Sequence, residues 1–285
     1  MAICLLWLAA CAGAPPTPEQ RRASAQQLAS AQGWFALPID TRFFTLTAFL
    51  PSTFSASKRL TVYIEGDGFA WISSEQASTD PTPIQPTALQ LALAQPEGNA
   101  VYLGRPCQYG GAAQTPCAKK YWTNSRFAPE VIEASNSAID NLKARFGANR
   151  LVLVGYSGGG AVAALLAARR DDVERLITVA GNLDHRAWTE MHYLRPLTGS
   201  LNPADFRVAL SRVPQWHFVG GDDRNIPDSI ARSFVADFPA RTNASVQVVP
   251  QFDHHCCWVR DWPSLWSAAM ADSPLRSSAA SSSQP

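Results

Sequence analysis

Leu151, Val152, Leu153 and Val154 run without a polar break into Gly155-Tyr156-Ser157-Gly158-Gly159, and an Ala- and Leu-rich stretch over 159–170 follows. A short, continuously apolar run of β-branched and aliphatic residues suits a strand buried on both faces, as in a parallel sheet. The alanines and leucines behind it favour a helix. Glycine at the two ends of the turn permits a close backbone approach that a Cβ would block. The serine between them is then raised on a sharp strand-to-helix turn, with the partly positive helix N-terminus behind it. That is the local arrangement a nucleophilic serine requires. A dinucleotide-binding turn would need G-x-G-x-x-G, which this strand-to-helix turn lacks.

The same alternation extends along the chain. Apolar, β-branched or aromatic runs at 60–64, 100–103, 151–154, 176–180, 215–219 and 245–249 read as strands, with helical spacing over 129–146, 159–170, 230–238 and 262–270 between and after them. Strands separated by helices of this length form right-handed βαβ crossovers, so the predicted class is α/β, a mostly parallel central sheet with helices on both faces. Stretches 34–39 and 43–49 read as leading strands, antiparallel at one edge. With 285 residues, 46% hydrophobic and 16% charged, the chain can bury one large core. Its 24 Lys plus Arg against 23 Asp plus Glu leave +1, without the basic excess of a nucleic-acid binder. No apolar run past the N-terminus reaches the roughly 18 residues of a membrane span. The predicted domain covers 34–272, with the longest inter-strand insertion, 181–213, as a small cap and 273–285 as a disordered Ser-rich tail.

A serine nucleophile needs a base, and the base an orienting acid, in the chain order Ser, Asp, His for this kind of sheet. Asp222 and Asp223 follow the strand at 215–219, and the spacing from Gly220 to Ile226-Pro227 selects Asp223, with Asp222 as the alternative. His254 and His255 follow the last strand; His254 comes first and is the predicted base, with His255 as the alternative, expected against Trp258. His185, His192 and His217 read as structural.

The N-terminus reads as an address. A short apolar run ends in Leu8-Ala9-Ala10-Cys11, which resembles a bacterial lipobox: residues 1–10 would be a signal peptide and Cys11 the lipidated first residue of an N-terminal linker over 11–33, whose stretch 13–20 reads as a Pro-rich tether. The run lacks the Lys or Arg usual before it. Export fits the remaining cysteines, Cys107, Cys117, Cys256 and Cys257, an even number that allows three pairings. Cys107–Cys117 closes the short loop, which would leave a vicinal Cys256–Cys257 bond; cross-pairing is the other option. Four adjacent residues, His254 to Cys257, cannot all reach one tetrahedral metal ion, so no metal is expected.

Taken together, the Gly155–Gly159 turn, Asp223 and His254 resemble the α/β-hydrolase-fold serine hydrolases, of the bacterial lipoprotein or periplasmic type, over roughly 60–270. The resemblance implies an acyl-enzyme mechanism without cofactor and an oxyanion hole made by the Gly158 N–H with a second N–H from Gly66-Asp67-Gly68-Phe69, at Gly68 or Phe69. It implies a small-molecule or lipid-like carboxylic ester as substrate, no nucleic acid, and a membrane contact through the N-terminal lipid only. A non-catalytic envelope binding protein of the same fold and an acyltransferase are the alternatives.

Overall fold

The computed structural model describes residues 14–110, 116–239 and 242–271; the expected signal segment, Cys11 and the tail at 273–285 lie outside them. Eight strands form a single sheet: β1 (Trp34–Asp40), β2 (Thr45–Pro51), β3 (Arg59–Ile64), β4 (Ala100–Leu103), β5 (Arg150–Tyr156), β6 (Val173–Val179), β7 (Gln215–Gly220) and β8 (Ala244–Val249). Their order is β1-β2-β4-β3-β5-β6-β7-β8. β1 and β2 are antiparallel, β2 runs antiparallel to β4, and every pair from β4 to β8 is parallel. β5 is buried from Leu151 to Tyr156, as its unbroken apolar run requires. Its register sets Val62 and Leu176 on either side of Leu153 and brings Ile64, the end of β3, beside Gly155.

One layer of helices, α3 (Pro129–Phe146), α4 (Gly158–Ala167) and α7 (Asp228–Ala236), covers one face. The other face carries α1 (Pro18–Ser30), α2 (Thr87–Leu93) and α8 (Trp258–Met270). α3 shows why the spacing was readable: Val131, Ile132, Ser135, Ile139, Leu142 and Phe146 are buried on one stripe, Pro129 starts it and Gly147 stops it at φ 64°. In α8, Trp258, Trp262 and Trp266 repeat every fourth residue and are buried, and the Trp262 indole N–H donates to Tyr63 Oη at 2.9 Å.

One expectation is corrected. Residues 18–30, expected inside a linker over 11–33, form α1. Thr17 and Gln20 make a reciprocal capping box, Pro18 occupies the first turn, and Ala25 and Ala29 are buried against the sheet layer. The folded body therefore begins before residue 34. The segment 181–213, expected as a small cap, packs partly into the body, while Trp188 and residues 193–198 line the cleft described below. It contains α5 (His185–Met191) and α6 (Arg207–Leu210), and Leu183, Leu197, Ala204 and Leu210 join the layer of α3 and α4. Among the described residues, no helix is long and apolar enough to cross a membrane.

Candidate active site

Ser157 sits between the last residue of β5 and the first of α4, at φ 52° and ψ −121°. A non-glycine residue at positive φ is strained, and it is held here because its neighbours leave no alternative. A Cβ on Gly155 would collide with the Gly159 carbonyl, and one on Gly159 with the carbonyls of Ile64 and Glu65. The two glycines of the motif thus let β3, β5 and α4 close on one another beneath the serine.

Asp223 follows β7 and His254 follows β8, and both are buried. His254 Nε2 lies 3.0 Å from Ser157 Oγ, and His254 Nδ1 lies 2.9 Å from Asp223 Oδ2. A carboxylate only accepts, so Nδ1 carries the proton and Nε2 is left to accept from the serine hydroxyl. Asp223 is itself fixed: the N–H groups of Asn225 and Ile226 both donate to its Oδ1 at 2.8 Å. Asp222, the alternative acid, points outward and is exposed. His255, the alternative base, is exposed and lies 3.2 Å from Tyr156 Oη through Nδ1. It does not pack on Trp258 as expected; that ring is taken by Phe252, at 4.9 Å between centroids. Partial desolvation of the ring where it meets the protein, then the neighbouring His254, holds the His255 imidazole below its usual pKa. The Tyr156 hydroxyl also donates to the His254 carbonyl at 2.9 Å, pinning the main chain of the histidine to the end of β5. His217 is buried within β7, bonded to Thr178 at 2.9 Å; burial lowers its pKa to about 3, which keeps it neutral.

Gly158 begins α4, where its N–H has no acceptor within the helix. Gly68 has φ 67°, and a Cβ there would collide with the Pro81 carbonyl, so only glycine fits. The Phe69 option is corrected: its N–H donates to that same Pro81 carbonyl at 3.1 Å, inside the loop, and is not offered to the site. Asp67 also bears on the site, without a local signal in the sequence. Its carboxylate packs directly over the Gly158 Cα and is held by Arg126 at 2.5 Å and Arg105 at 3.4 Å, both buried arginines. Two guanidiniums thus flank one carboxylate beside the serine. Glu65 closes the same loop from below. It is fully buried, accepts from the Gly66 N–H at 2.9 Å, and burial raises its pKa to about 7.

The disulfides found are Cys107–Cys117, with Cα atoms 5.6 Å apart, and Cys256–Cys257. The first reaches the site through its neighbour Gln108, whose amide donates to the Gly66 carbonyl at 3.1 Å. Ser157 and His254 open into a cleft of about 1860 Å³. Residues 66–71, 73–75 and 193–198 are among those that line it.

No protein-family model and no curated protein matches the sequence. Solved structures do match in shape. Est1E from Butyrivibrio proteoclasticus superposes with a TM-score of 0.58 at 14% identity, covering 83% of this chain and 99% of that one. The chain has the α/β-hydrolase fold. An α/β serine hydrolase homologue from Coxiella burnetii gives 0.55 at 14% identity, over 82% of this chain and 94% of that one. XC6422 from Xanthomonas campestris, described as an α/β serine hydrolase without lid, gives 0.53 at 14% over 83% and 91%. β5, β7 and β8 run parallel, with β6 between β5 and β7, so their C-terminal ends open on the same edge of the sheet, which is how residues 97 positions apart in sequence come within hydrogen-bond reach.

Proposed function

We propose that this chain is a serine hydrolase of carboxylic esters, working through Ser157, His254 and Asp223 by an acyl-enzyme intermediate. The observation that carries the reading is the continuous hydrogen-bonded line from Ser157 Oγ through His254 to Asp223, at 3.0 and 2.9 Å. Ser157 Oγ attacks the ester carbonyl carbon while His254 Nε2 takes its proton. The carbonyl oxygen becomes an oxyanion, facing the Gly158 N–H and a main-chain N–H of Asp67-Gly68. Asp223 stabilises the imidazolium. Collapse expels the alcohol, which leaves with the proton from His254. A water molecule, deprotonated by His254, then attacks the acyl carbon and releases the acid and the serine. None of these steps needs a cofactor.

An alcohol in place of that water would make the enzyme an acyltransferase, and nothing in the site favours this over hydrolysis. Work in the cell envelope follows from the expected export signal and the paired cysteines. The test is labelling of the purified protein by a fluorophosphonate, together with turnover of a short-chain ester. Labelling is expected in wild type and in His255→Ala, and lost in Ser157→Ala and His254→Ala, with turnover of Ser157→Ala reduced on the order of 10³-fold or more. No labelling of folded wild type would refute the proposal.

A further inference from the structure

We propose that the mouth of the cleft docks on an anionic lipid surface, the apolar side chains of its two lips entering the interfacial layer. On one lip Trp71, Ile72 and Ile84 are 41%, 49% and 41% exposed. On the other Tyr193 and Leu194 are 97% and 45% exposed. Scattered surface apolar residues need no explanation, but four large ones lining a single opening, with Ile72 next to Trp71 in the chain, mark an interaction site. Two exposed cations, Lys120 and Arg195, line the same mouth against one exposed carboxylate, Glu75, and the excess cation would face anionic headgroups. An apolar centre with basic neighbours is the pattern of an interfacial contact.

The occupant is chosen by the N-terminus. Arg21, in the first turns of α1, is buried; its guanidinium bonds the Asp80 carbonyl at 3.1 Å and the Asp80 carboxylate at 3.3 Å, and lies 4.9 Å from the Phe69 ring. Phe69 lines the cleft. The helix start is therefore fixed to the lip that carries Trp71. Seven residue steps separate Cys11 from Pro18, a reach of at most roughly 25 Å even when fully extended. A lipid on Cys11 would hold the start of α1 within that distance of the bilayer, and with it the lip to which Arg21 is bonded. The contact adds a second membrane attachment to the anchor. The substrate class it implies, an ester drawn from that surface, rests on the hydrolase reading above.

The test uses the full chain with Cys11→Ser, which has no anchor, and cosedimentation with vesicles of phosphatidylethanolamine and phosphatidylglycerol or of phosphatidylcholine. The anchor-free chain should pellet with the anionic vesicles, and Ile72→Ser with Tyr193→Ser should weaken partitioning about tenfold or more. As a check that keeps the fold, bromine-labelled lipid in the anionic vesicles should quench tryptophan emission less in Trp71→Phe than in the parent. Ser157→Ala should bind like the parent, so docking can stand or fall apart from the labelling test of hydrolysis. A parent that stays in the supernatant, lip variants that bind equally, or unchanged quenching in Trp71→Phe would overturn the proposal. Equal binding to phosphatidylcholine would overturn its anionic character.

Discussion

Replacing Glu65 by Gln should reshape the pH dependence of stability by an amount that follows from one carboxyl. Glu65 is fully buried at the end of β3, and burial lifts its pKa from 4.5 to about 7, against the opposing pull of the Gly66 and Ala88 N–H groups and the Tyr102 hydroxyl. A carboxyl with a folded-state pKa above its unfolded value binds its proton more tightly when folded. Its contribution is thus most favourable below about pH 4.5, declines as pH rises through the window from 4.5 to 7, and is level above. At about 1.4 kcal/mol per pKa unit, the decline amounts to about 3 kcal/mol. Glutamine keeps an acceptor for Gly66 and Ala88 but does not ionise, so Glu65→Gln should lack this decline. Urea unfolding of both proteins at about pH 4.5 and pH 8 measures it, and the wild type should lose about 3 kcal/mol relative to Glu65→Gln across the interval. Other titrating groups cancel in the difference. A difference that stays constant within about 0.5 kcal/mol would show that Glu65 ionises in the fold as it does in water.

Asp223→Asn should leave the backbone intact but present a donor to His254 Nδ1, favouring the wrong tautomer; kcat should fall roughly 10⁴-fold in an ester turnover assay. Arg126→Gln should uncover the Asp67 carboxylate beside Gly158 and lower kcat/KM by about 10²-fold, part of which Asp67→Asn in the same chain should restore. Arg21→Ala strands the buried Asp80 carboxylate and should cost about 3–5 kcal/mol in denaturant unfolding. Cys107→Ser with Cys117→Ser opens a loop of sequence separation 10; chemical denaturation should read a loss of nearly 3 kcal/mol.

The parts of the site that were legible in sequence are those fixed by local chemistry. The turn at Ser157 announces itself because two glycines and a buried strand are adjacent in the chain. Asp223 stood out from Asp222 by its spacing to Ile226-Pro227, and the structure supplies the cause in the two N–H groups of Asn225 and Ile226 aimed at its carboxylate. The Asp67–Arg105–Arg126 cluster left no such trace, since its members are 38 and 59 residues apart and only the packed fold brings them together. Phe69 was misjudged for a similar reason: where its N–H points is decided by pairing with Pro81, across a loop. α1 is a different case. Thr17, Pro18 and Gln20 spelled out a helix start, but the prolines before it drew the reading towards a tether.

The order in which the chain supplies the three side chains bears on its biogenesis. Ser157 is synthesised first, Asp223 later and His254 last, after β8, the outermost strand on its side of the sheet, is complete. A partly made or C-terminally clipped chain can hold the turn, the acid and most of the core, yet its serine has no partner to take a proton. On the proposed mechanism, reactivity is withheld until nearly the whole polypeptide has been made.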